Sequence, residues 1–137
     1  MVEVEAKYLG DLRTSVVHGP SGRTIGTDAP RDNEGRGELF SPTDLVAAAL
    51  ASCVATLMGI YARRHGIDLA GLAVRVEKHM QSEPRRIGRL PVTIDVPVPV
   101  EARHRAGLEA TARHCPVHAS LHPDIQSPMT FHWAEAR

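Results

Sequence analysis

Polar and apolar positions alternate at the start of the chain. Val2, Val4 and Ala6 interleave with Glu3, Glu5 and Lys7, the period of a half-buried strand. Ser15-Val16-Val17 predicts a second strand, ended by the turn cluster Gly19-Pro20-Ser21-Gly22. Arg23-Thr24-Ile25 predicts a third. Residues 28–38 have the composition of a loop.

The pattern then changes sharply. Ser41-Pro42-Thr43-Asp44 is a helix start: Ser suits the N-cap, Pro the first helical position, and Asp follows three residues after Ser. No charged residue occurs from Leu45 to Ala62. That length raises the question of a membrane span. Ser52, Thr56, Gly59 and the many alanines argue instead for a central helix covered on every side, closed by Arg63-Arg64-His65-Gly66. One small domain can hardly cover such a helix, so a dimer is expected.

Further on, Leu72, Val74, Val76 and Met80 alternate with polar positions. So do Leu90, Val92, Ile94, Val96, Val98 and Val100. Both runs predict strands, with residues 81–86 as a polar connection. Residues 101–115 follow a helical pattern in which Leu108, Thr111, Ala112 and Cys115 share a face. Pro116 redirects the chain. Met129-Thr130-Phe131-His132-Trp133 predicts a last strand. Strands, buried helix, strands, helix and strand make an α+β class.

Composition fits one domain spanning residues 1–137, with 42% hydrophobic and 23% charged residues. Lys plus Arg is 16 and Asp plus Glu is 16, so the formal charge is zero. That balance argues against nucleic-acid binding, which needs a basic excess. Aromatic content is only 4%, so the core must be built from Ala, Val, Leu and Ile. The acidic N-terminus lacks the apolar run of a signal peptide, and the two cysteines are too few for a disulfide scaffold. The expected compartment is the cytoplasm, and no membrane association is expected.

Cys53 in the apolar helix and Cys115 at the end of the later helix are the candidate reactive groups. As residues they are open to three readings: a redox pair, inert packing, or part of a metal site. His114-Cys115-Pro116-Val117-His118 with Cys53 offers Cys and His ligands. The spacing matches no compact zinc motif and Pro116 breaks the helical register, so no metal is expected. No other cofactor is implied. A buried thiol needs a nearby cation to ionise, and a guanidinium is suited to that. Arg31 is the first choice by its position before Pro42, with Arg36 and Arg23 as runners-up.

The run from Ser41 through Pro42 and the Ala-rich turn to Cys53, followed by His114-Cys115-Pro116-Val117, resembles the OsmC/Ohr family (osmotically inducible protein C and organic hydroperoxide resistance proteins). The resemblance covers nearly the whole chain. It implies an α+β fold of antiparallel sheets packed around a long buried central helix, in an intertwined homodimer. It implies a thiol peroxidase for organic hydroperoxides, with Cys53 peroxidatic and Cys115 resolving. An arginine before the central helix would hold the thiolate. Electrons would come from an external dithiol, such as a lipoylated protein. The chain departs from the family pattern at Thr43, where active members carry Glu after the Pro. Asp44 is rotated about 100° from that position and reads as the helix-start carboxylate. The alternative function is a binding or redox-sensing protein on the same fold, with little peroxidase activity.

Overall fold

Strand alternation near the N-terminus produces a three-stranded antiparallel sheet. The computed structural model, which describes residues 1–136, forms it from β1 (Val4–Gly10), β2 (Arg13–His18) and β3 (Thr24–Asp28), in the order β1-β2-β3. The turn between β1 and β2 holds Asp11 and Leu12 at φ of 54° and 62°, the left-handed pair that matches strand twist in a two-residue hairpin. After β3 the loop makes one 3-10 turn, Arg31–Asn33, and then Phe40 bridges back to Thr27.

The helix start behaves as the sequence predicts. In α1 (Pro42–Arg64) the Ser41 hydroxyl accepts from the Asp44 N–H at 3.1 Å. The Asp44 carboxylate accepts from the Ser41 N–H at 2.9 Å. This is a reciprocal capping box with Asp in place of the usual Glu. Asp44 is thus engaged at the helix start, as its rotation from residue 43 predicts.

The chain forms two compact units, Met1–Val46 and Ala47–Arg137, divided within α1. In the second unit, β4 (Ala73–Val76), β7 (Val92–Val96) and β8 (Met129–Trp133) form one sheet in the order β4-β7-β8. β5 (His79–Gln81) and β6 (Arg86–Arg89) form a separate hairpin. Val92, Ile94 and Val96 face the core, as their alternation predicts. β4 and β7 are antiparallel, whereas β8 lies parallel to β7, with Ile94 opposite Phe131.

Boundaries differ from the sequence pattern at several places, and β1, expected half-buried from Val2, starts at Val4 and is exposed along nearly all its length. The run 72–80 breaks at Glu77 and Lys78 into β4 and β5. Arg86, at the end of the expected polar connection, begins β6. The run 90–100 forms a strand only over Val92–Val96, because Pro97 and Pro99 have no N–H to give a ladder. After it come α2 (Ala102–Arg113) and a short α3 (Pro116–Ser120).

The expectation that α1 is covered on every side needs correction for the single chain. Its buried residues, Leu50, Val54, Met58 and Ala62, recur every four positions and form one stripe. Ala49, Ser52, Thr56 and Ile60 are exposed. By length and composition α1 could cross a membrane, yet only 22% of its most apolar window is buried. The most deeply buried of this unit's other core residues are Leu90, Val92, Ile94, Leu108, Ala112 and Cys115, all within 1% of complete burial.

Candidate active site

Two local features set Cys115. The first is the end of α2 at Arg113, two residues short of the expected helical run to residue 115, so that Cys115 lies off the helix whose buried residues are Leu108 and Ala112 and is itself fully buried. The second is Pro116, which pushes the preceding residue out of the helical region. Cys115 accordingly adopts φ −70° and ψ 145° and becomes the N-cap of α3. Its Sγ accepts a hydrogen bond from the His118 N–H at 3.3 Å.

Cys53 lies three turns into α1, on the side toward α2. It is half-buried, and its side chain neighbours that of Cys115. Both cysteines are free thiols. Burial pushes the Cys115 thiol above its ordinary range, and the neighbouring Cys53 pushes it further. The N–H groups of His118 and Val117 act in the opposite direction, because they favour a thiolate. Two thiols in contact, one of them open to solvent, can be oxidised to a disulfide by losing two electrons.

A cavity of about 300 Å³ is lined by Leu57, Ile60, Tyr61, Arg64, Thr111 and His114, residues that flank the cysteines in sequence but do not include them. Leu57 is one turn along α1 from Cys53, and His114 directly precedes Cys115. Leu57 and Ile60 make part of the lining apolar, and Arg64 and His114 add polar groups. Tyr61 also hydrogen-bonds His104 Nδ1 through its hydroxyl at 3.1 Å and stacks on His65 at 4.1 Å.

The arginines differ in how they are held. Arg31 is exposed at the start of the 3-10 turn, and its Nε donates to the Arg36 carbonyl at 3.2 Å. Arg36 lies 4.0 Å from Glu38 on the surface. Arg23 is exposed in the turn before β3. Arg13 on β2 was not singled out by the sequence pattern, yet its guanidinium meets two carboxylates, one of them fully buried. It lies 2.7 Å from Glu38 and 3.5 Å from the fully buried Asp28. Asp28 Oδ2 also accepts from the Glu38 N–H at 3.0 Å, while its Oδ1 is buried with no hydrogen-bond partner. A β-strand position after a tight turn gives no sequence signal for such a role; the signal would have been the burial of Asp28. Thr43, at the position of departure, has its hydroxyl 3.3 Å from that of Ser41. Among the described residues, no three His, Cys, Asp or Glu side chains gather as metal ligands.

A long apolar helix carrying one thiol, set against a second thiol at the junction of two later helices, defines an α+β dithiol protein. The family model described as OsmC-like protein matches residues 35–127, which include both cysteines. The chain belongs to the OsmC family. A crystal structure from Psychrobacter arcticus 273-4, whose name refers to osmotic stress induction and a detoxification response, is 44% identical over 96% of each chain, with a TM-score of 0.92. An organic hydroperoxide resistance protein OsmC from Legionella pneumophila is 17% identical over 96% of each chain and shares the fold at a TM-score of 0.77. The organic hydroperoxide resistance protein OhrB of Bacillus subtilis does so at 0.66, with 14% identity over 96% of this chain and 98% of that one. No curated protein matches the chain in sequence.

Proposed function

We propose that the protein is a thiol-dependent peroxidase that reduces organic hydroperoxides in oxidative-stress defence. The observation that carries this reading is the contact between the half-buried Cys53 thiol and the buried Cys115 thiol. Family membership and the names of the Legionella and Bacillus relatives support the substrate class.

The Cys53 thiolate attacks the terminal peroxide oxygen. The O–O bond breaks, the alcohol leaves after taking a proton, and Cys53 becomes a sulfenic acid. The Cys115 thiolate attacks that sulfur, water leaves, and a disulfide forms. An external dithiol, such as a lipoylated protein, returns the two electrons by exchange. The apolar cavity of Leu57, Ile60 and Tyr61 suits an organic peroxide better than hydrogen peroxide. The exposed apolar positions of α1 suit a homodimer, and the chemistry suits the reducing cytoplasm. The cation that favours the Cys53 thiolate is assigned to the arginines preceding α1. Arg31 has the first claim from sequence position, and Arg13 has one from its carboxylate partners.

The test is to treat reduced protein with one equivalent of cumene hydroperoxide and follow free thiols and intact mass. Loss of both thiols with a mass fall of about two hydrogens supports the reading. Cys53→Ser is expected to abolish turnover, and turnover retained by that variant would remove the mechanism. Replacement of Thr43 for the family Glu favours a second reading, a binding or redox-sensing protein. Peroxide consumption no faster than that of free cysteine, with saturable binding of an apolar ligand, would establish it.

A further inference from the structure

We infer that the Cys53–Cys115 disulfide is opened from the Cys53 side, with Cys115 departing as a thiolate held by the backbone N–H groups of α3. This rests on the reading that the two thiols cycle through a disulfide. It adds which sulfur the reductant attacks and which atoms receive the leaving group.

The first argument is access. A thiolate must reach the sulfur it attacks, roughly in line with the bond that breaks. Cys53 is half-buried, whereas Cys115 is 0% exposed. Attack at Cys115 would require the core around Leu108 and Ala112 to open. Attack at Cys53 would not.

The second argument concerns the leaving group. A sulfur that departs into a buried site is disfavoured as a thiolate unless donors meet it. Cys115 has such donors, which offset part of the burial that raises it. The His118 N–H points at its Sγ from 3.3 Å, and the Val117 N–H acts in the same direction. Pro116 at the first position of α3 lets the turn start immediately after Cys115, which brings the His118 N–H onto its side chain. Cys53 has no equivalent in the backbone. It sits inside α1, where N–H groups are used in bonds to the carbonyl four residues earlier.

The steps balance. A thiolate of the external dithiol attacks Cys53 Sγ, the Cys53–Cys115 bond breaks, and Cys115 leaves as a thiolate. The dithiol's second thiolate then attacks its own sulfur in the mixed disulfide and expels the Cys53 thiolate. The dithiol ends as a disulfide, having given two electrons, and its two protons end on the protein thiols.

The experiment uses the whole chain, oxidised with diamide as well as with cumene hydroperoxide. The disulfide is exposed briefly to glutathione, quenched in acid, denatured, labelled with N-ethylmaleimide, and mapped by peptide mass. Glutathione on Cys53 with the maleimide on Cys115 is expected. Glutathione on Cys115 would overturn the inference, and so would failure of diamide to form the disulfide. A disulfide formed by diamide but not by cumene hydroperoxide would sink the peroxidase reading alone. Two variants then isolate the backbone donor. His118→Pro removes the N–H, and His118→Ala removes only the imidazole. Reduction of the disulfide by dithiothreitol is expected to slow about three- to tenfold in His118→Pro and to stay near wild type in His118→Ala. Equal rates in the two variants would refute the role of the N–H.

Discussion

The side chains of Cys53, inside α1, and Cys115, at the start of α3, are neighbours although they come from distant parts of the chain. Burial first, and the Cys53 neighbour after it, raise the Cys115 thiol above its ordinary range. Resolution of a Cys53 sulfenic acid consumes the Cys115 thiolate. After one equivalent of cumene hydroperoxide, disulfide formation should therefore accelerate about tenfold per pH unit from pH 7 and keep rising past about 8.5, where an ordinary thiol levels off. Stopped-flow measurements would show this, and a plateau below that pH would contradict it. Stability follows the same proton. The folded state holds it more tightly than the unfolded chain, so this contribution is complete below the ordinary thiol range and is lost as pH rises beyond it. Cys115→Ser should lack that alkaline decline in chemical denaturation.

The phenol of Tyr61 on α1 fills the space that a Cβ at Gly107 on α2 would need. Gly107→Ala should displace the phenol and disturb its hydrogen bond to His104. The expected loss is about 1–3 kcal/mol, the usual cost of overpacking. Adding Tyr61→Leu should recover part of it, because the clash is with the far end of that ring. Urea denaturation of the single and double variants would decide, and a single variant as stable as wild type would refute the contact.

Arg13 and Arg31 should behave differently. Arg13→Ala would leave the fully buried Asp28 without its cation. The expected destabilisation is about 1–3 kcal/mol, below that of a fully buried pair because Arg13 remains partly solvated. Arg31→Ala removes one hydrogen bond from an exposed side chain and should change stability by no more than about 0.5 kcal/mol. Thermal unfolding compares the two. The peroxide rate of each variant then tests the role proposed for either arginine, provided the variant is folded at the assay temperature.

The capping box at Ser41 and Asp44 orders the start of α1. Ser41→Ala should cost about 1 kcal/mol, and Ser41→Gly only a few tenths. Circular dichroism melts would test this ranking. A Gly variant less stable than the Ala variant would show that the buried hydroxyl matters for more than the cap.

By itself the sequence determined the elements whose signal is local. Strand alternation marked β7 and β8, and the Ser-Pro-Thr-Asp run marked the start of α1. Pro116 marked the break after Cys115. Each depends on side-chain period or backbone chemistry within a few residues. The α+β class and the family likeness followed from those elements and from the two cysteine motifs. Other features depended on partners distant in the chain. The parallel pairing of β8 on β7 depends on how the intervening helices return the chain. That Arg13 meets the buried Asp28 depends on a cross-strand register, in which the two residues are paired. Only the tertiary structure brought Cys53 and Cys115 together, because the contact is made by packing α1 against the end of α2, and no spacing along the sequence encodes the distance between two helices.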